Sequence, residues 1–169
     1  MSFSFNGGEF NASRSLNKFI KDNLNTIVPS WKTGAFTIYY DWPDAPAATP
    51  CFTVTHLGGF ETVRTQGNSL GGTTRGQEVR RIAEVSCWVD SQDNDNWVRD
   101  LTQMRDMVVK LFSQTREVMV YDLYSSTSNP STTGSMIRII GVEDVDVPPD
   151  PNPNIRRRRL LVSYDYWQR

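Results

Sequence analysis

The side chains able to do chemistry are few and scattered along the 169 residues. His56 is the single histidine, and Cys51 and Cys87 are the two cysteines. A hydrolase triad or a thiol–imidazole pair would have to run through His56. It sits in FTVTHLGG (52–59), an alternating stretch with no nucleophile motif around it, where a structural histidine is the expectation. Two cysteines do not make a disulfide scaffold, and MSFSFNGGEF does not read as a secretory leader, so both thiols are expected to stay reduced. Asp90, Asp93 and Asp95 invite a calcium reading, yet the glycine and the distant glutamate of an EF-hand are missing. Carboxylates there suit the start of a helix equally well. GGTTRG (71–76) has the outline of a phosphate loop but lacks its lysine and the hydroxyl residue that follows. Asp41 and Asp44 are close in sequence without an apolar setting to raise one of them. The residues thus predict no catalytic group, no metal and no cofactor, and a protein that is not an enzyme.

One charge run stands out. Arg156, Arg157, Arg158 and Arg159 are consecutive, in a chain whose only lysines are Lys18, Lys21, Lys32 and Lys110. On a strand, Arg156 and Arg158 face one way and Arg157 and Arg159 the other. A sequence-tolerant nucleic-acid contact would use these together with Arg64 and Arg75. The local alternative is a hairpin centred near Asp150, with Glu143 and Asp144 roughly opposite Arg158 and Arg157. The formal net charge of −1, from 18 basic and 19 acidic residues, favours the second reading. The arginine bias itself suits protein interfaces, where the planar guanidinium makes several directed bonds.

The elements that must position these residues follow from periodicity. Residues 1–12 carry Phe3, Phe5 and Phe10 without a helical period and read as an extended arm. Leu16, Phe19, Ile20, Leu24 and Ile27 recur at three and four, predicting a helix capped by Ser13 and stopped by Pro29. Strands are predicted over 35–42, 52–59 and 79–90, the last two joined as a long hairpin across the glycine-rich loop 58–76. That hairpin brings Cys51 and Cys87 close to opposite positions. A second helix begins at Trp97, with Val98, Leu101, Met104, Val108, Leu111 and Phe112 on one face and Arg99, Gln103, Asp106 and Lys110 pointing away. Strands over 117–124, 135–147 and 155–167 follow, the last two forming a closing hairpin, with a polar loop at 125–134. The expected fold is a single α+β domain over 1–169: a mostly antiparallel sheet of about five to six strands, with both amphipathic helices on one face. No apolar run is long enough to span a bilayer.

This layout resembles the tail terminator and tail-completion (neck) proteins of long-tailed bacteriophages. The likeness lies in the order: SLNKFIKDNLNTI, the extended pair AFTIYYDW and FTVTHLGG, then RRIAEVSCWVD running directly into DNWVRDLTQMRDMVVKLF, then closing strands. It covers roughly Ser13 to Tyr124. The long final hairpin and the aromatic arm depart from the simplest members. The resemblance implies a structural virion protein assembled in the host cytoplasm. It would form a ring, usually a hexamer, that ends the tail tube and joins it to the head connector. Partners would be copies of itself, the tail tube protein and the connector protein, with DNA passing through the lumen unbound and no membrane. Another head-tail connector or neck adaptor protein, a small nucleic-acid-binding domain and a small enzyme built on His56 are the alternatives. The segments 1–12, 58–76 and 125–134 are expected to become ordered only on assembly. Phe3, Phe5, Phe10, Phe60, Arg64, Arg75, Arg156 and Arg158 are the expected subunit or partner contacts.

Overall fold

The computed structural model describes residues 8–41, 48–57, 64–65, 77–92, 94–145, 147 and 152–168. Helix α1 runs Gly8–Asn23 and closes in a 3-10 turn, Leu24–Ile27. The strands are β1 (Thr37–Tyr40), β2 (Cys51–Leu57), β3 (Arg64–Thr65) and β4 (Gln77–Asp90), followed by α2 (Trp97–Gln114). Strands β5 (Glu117–Tyr121), β6 (Thr132–Val145) and β7 (Ile155–Gln168) complete the chain. They form one sheet in the order β1-β2-β4-β7-β6-β5, with β3 beside β4. Every pairing is antiparallel except β1 with β2. The α+β class and the two helices are as expected; the sheet is mixed and carries one strand more.

Alternation along β4 and β7 divides the sheet into two unlike faces. Val79, Ala83, Val85, Cys87 and Val89 of β4 join Leu160, Val162, Tyr164 and Tyr166 of β7 in the core. Leu16 and Ile20 of α1 and Leu101, Met104 and Val108 of α2 close over them, so both helices cover the same face. Fully burying a leucine or valine stabilises by roughly 1.5–3 kcal/mol, which makes this layer the main source of the fold's stability. The opposite face presents Glu78, Arg80, Glu84, Ser86 and Trp88 from β4 and Arg157, Arg159, Asp165 and Trp167 from β7. No helix of the described residues is long and apolar enough to cross a membrane.

Several expectations are corrected. Helix α1 starts at Gly8, so residues 8–12 are helical instead of an extended arm, and Ser13 lies inside the helix, its hydroxyl donating to the Phe10 carbonyl at 3.1 Å. Residues 1–7 lie outside the described part. Asn11 anchors the early start: its side-chain oxygen accepts from the Tyr124 amide at 2.9 Å and its amide nitrogen donates to Asp122 at 3.3 Å. The segment 58–76 is not all loop, because Arg64 and Thr65 pair with Glu78 and Gln77. Strand β6 begins at Thr132, three residues early. Val98 points to solvent at 56% exposure, and Gln103 is not free, since its carbonyl accepts the Trp31 indole N–H at 2.6 Å.

Candidate assembly surfaces

The arginine run is a ladder of paired charges. On the helix-free face, Glu84 of β4 is 5% exposed and takes guanidinium bonds from both Arg157 and Arg159, the latter at 2.9 Å through Nε. The Ser86 hydroxyl adds a bond at 2.8 Å. Burial alone would raise the Glu84 carboxyl; the bonds from Arg159 and Ser86 and the charges of Arg157 and Arg159 outweigh it and hold the group below the usual carboxylate range. Arg157 also lies over the Trp88 ring at 4.6 Å, and Trp88 donates its indole N–H to Thr53 at 2.9 Å. The arginine stems roof the strand residues beneath them, which is how Trp88, Ser86 and Thr53 are buried on a face that carries no helix.

A second ionic group lies farther along the same face. Asp165 of β7 receives Arg80 at 2.7 Å and Arg138 at 3.3 Å, and Arg138 also reaches Glu78 at 2.6 Å. Burial pushes the Asp165 carboxyl up, but Arg80 and Arg138 bring it below its ordinary value. Beside this group runs an apolar row. Met119 pairs with Met136, and Glu78 with Trp167; Ile137 pairs with Tyr166, which sets Met136 and Trp167 at neighbouring positions. Met119, Met136 and Trp167 are 43%, 38% and 41% exposed.

The expected contact residues divide as follows. Phe10 is exposed on the first turns of α1, edge-on to Tyr124 with ring centres 6.0 Å apart and with Arg14 over its ring at 5.5 Å. Arg156 is exposed and lies over the Trp97 ring at 5.2 Å. Arg158 is held by Asp144 at 2.6 Å, and Asp144 is shared with Arg105 of α2 at 3.2 Å. The backbone register differs from expectation: Asp144 stands opposite Leu160, and Glu143 opposite Leu161. The Asp144–Arg158 pair is therefore diagonal, and Arg157 turns to Glu84 instead. The Arg64 backbone pairs with Glu78. Phe3, Phe5, Phe60 and Arg75 lie outside the described residues, and the structure brings none of the other four into one cluster. Met119, Met136 and Trp167 were missed; they alternate with buried residues on their strands, but only the register shows that they share a row.

His56 is half-buried, with both ring nitrogens hydrogen-bonded. Its Nε2 donates to the Asn17 side-chain oxygen at 2.8 Å, and Nδ1 accepts from the Tyr164 hydroxyl at 3.2 Å. Burial lowers its pKa, which the nearby Asp41 carboxylate only partly opposes. One ring nitrogen thus ties α1 to β2, and the other ties β2 to β7. The two cysteines are free and buried. Phe52 pairs with Cys87 and Cys51 with Trp88, so the two thiols sit one position apart on opposite faces of the sheet. Burial pushes Cys51 up to about 12 and raises Cys87 as well. Among the described residues no group of three His, Cys, Asp or Glu side chains is placed to hold a metal ion.

No protein-family model matches the chain. No curated protein matches it in sequence. Among solved structures, it is similar to a chain from the virion of a native gene transfer agent particle, with a TM-score of 0.44 and 13% identity, over 99% of this chain and 100% of that one. A second solved chain has a TM-score of 0.38 and 13% identity, over 89% of this chain and 93% of that one.

Proposed function

We propose that this chain is a structural virion protein without catalytic activity. Copies assemble as a ring, a hexamer in the simplest case, that ends a phage tail tube and joins it to the head connector. The observation that carries the reading is the helix-free face of the sheet. Its exposed row Met119–Met136–Trp167 lies against ion pairs that are already neutralised within the chain. Such a face meets another protein surface without stranding unpaired charge, whereas a monomer leaves three large apolar groups in water. The chain order of elements, a helix, strands, a second helix and closing strands, is the one on which the family resemblance rests. In that role DNA passes through the lumen, and the partners are the tube protein below and the connector protein above.

The nucleic-acid reading has less support. Arg157, Arg158 and Arg159 each carry a carboxylate partner, so the run does not form a free cationic stripe. Native mass spectrometry of the chain, alone and with a phage tail tube protein, tests the proposal. A single closed oligomer is expected, and Trp167→Glu should abolish it while leaving the melting temperature of the subunit unchanged. A chain that stays monomeric both alone and on tubes would overturn the reading.

A further inference from the structure

Strand β6 is longer than the strand that covers it. Strand β5 pairs with β6 only as far as Glu117 opposite Arg138, and the Ile139 amide donates to the Arg116 carbonyl at 2.8 Å. From Ile140 to Val145, β6 pairs with β7 on one side, and among the described residues no strand lies on the other. The register shift between Ile139 and Gly141 marks where this open edge begins. Alternate amides and carbonyls of such an edge point outward and are ready to take an added strand. Alongside lies a groove of about 530 Å³ between α2 and β6, lined on its apolar side by Val109, Phe112, Ile139, Ile140 and Val142. Ile140 is 45% exposed, and nothing lies within 4 Å of where a Cβ on Gly141 would be, so a backbone can approach closely.

The chain holds one segment suited to this edge. In Ser2-Phe3-Ser4-Phe5-Asn6 the rings are two residues apart, so an extended backbone puts both on one side and the polar side chains on the other. The segment has no charged side chain, whereas β6 carries Glu143 and Asp144 and would repel a second β6 laid against it. Reach decides whose segment it is. Helix α1 starts beside Asp122 and Tyr124, at the far end of β5. Val142 lies four residues along β5 and four along β6 from there, about 26 Å at the rise of a strand. Phe3 is five residues ahead of Gly8, and Gly8 is three helical residues ahead of Asn11, so Phe3 reaches about 22 Å at most from the Asn11 contact. On its own chain it falls short of Val142.

We propose that the open β6 edge, Ile140–Val145, accepts the Phe3–Phe5 segment of a second copy as an added strand, with both rings seated in the groove between α2 and β6. The inference rests on the reading above that the chain assembles with itself, and it supplies a head-to-tail contact able to close a ring. The test mixes a Phe5→Cys protein with an Ile140→Cys protein under mild oxidation, both native cysteines being buried. Disulfide-linked pairs of unlike chains are expected in large excess over like pairs. Phe3→Ser with Phe5→Ser, and separately Ile140→Lys, should weaken self-association at least roughly ten-fold, with melting of the subunit unchanged. Rings of normal size and affinity without the unlike cross-link would overturn the arm exchange and leave the assembly reading standing. So would dominant Ile140→Cys self-linkage, or linkage within one chain of the double variant at high dilution. No self-association at any concentration, alone or on tubes, would overturn both.

Discussion

Glu84 shows how much a single carboxylate can organise. It is nearly inaccessible and is shared by two arginines that are themselves only about one-quarter exposed, Arg157 at 26% and Arg159 at 27%. Removing one partner of such a group strands the remaining charges, at a cost of about 3 kcal/mol or more. Glu84→Ala should therefore lower the midpoint of urea unfolding strongly, while Glu143→Ala, at an exposed position, should leave it almost in place; equal effects would refute the ladder's structural role. His56 adds a pH dependence. Its folded-state pKa lies below the ordinary 6.5, so the unfolded chain takes the proton first. Stability is complete above about pH 6.5 and drains as the pH falls toward the folded-state value. Glu84, Asp144 and Asp165 are held below their ordinary values, so their contribution is lost further down, below about pH 4. Unfolding free energies measured from neutral to acid pH should show both stages, and His56→Gln should erase the first alone. A single stage below pH 4 in the unaltered protein would remove His56 from this account. At this scale the sequence showed that Arg156–Arg159 alternate across the strand, but not that Glu84 is their partner. Glu84 and Arg159 are seventy-five positions apart, and only the β4–β7 register joins them.

At the scale of elements, α2 was legible because its apolar period is strong and most of its buried residues, Leu101, Met104, Val108, Leu111 and Phe112, are those the period selects, with Asp100 and Met107 buried in addition. Leu101→Ala should cost roughly 2–5 kcal/mol, whereas Val98→Ala, exposed one turn earlier, should cost little; a chemical-denaturation series over both positions checks the orientation of the helix. Gln103→Ala should cost no more than about 1 kcal/mol, since the Trp31–Gln103 bond is exposed and water can take the acceptor's place. The beginning of α1 was not legible. Glycine at position 8 and phenylalanine at position 10 are poor local signals for a helix, and what starts it there is tertiary: Asn11 satisfies the chain at Asp122 and Tyr124, more than a hundred residues away. Strand β3 was hidden for the same reason, because two residues in a polar loop carry no period and acquire a structure only from β4. The parallel β1–β2 pair follows neither from a hairpin nor from a crossover helix, so adjacency in the chain gave no hint of it.

For the whole molecule, class and layer arrangement could be read because two amphipathic helices demand one apolar sheet face, and the strands supply it. The second face could not be read. Its polar residues, seen one strand at a time, resemble ordinary solvated positions; across β4, β7 and β6 they become two closed ion-pair groups beside an apolar row. A sheet with one face buried by the chain itself and the other made of internally paired charges and partly apolar is equipped for a partner on that second side. That is a property of the assembled layers and not of any segment.

The placement of the two thiols turns the molecule into its own stopwatch. Cys51 is sealed beneath the arginine-covered face and Cys87 beneath the helices, and with both pKa values raised neither reacts while its cover is closed. Alkylation therefore counts openings, each thiol timing a different door. Cys51 should label when the side chains over the sheet part, at a rate nearly insensitive to low urea. Cys87 should wait until α2 lifts away, at a rate that climbs steeply with urea as global unfolding does. Mass spectrometry of partially labelled protein reads both at once. If the two thiols keep common time across the urea series, the layers do not open separately and the sheet comes apart in one step.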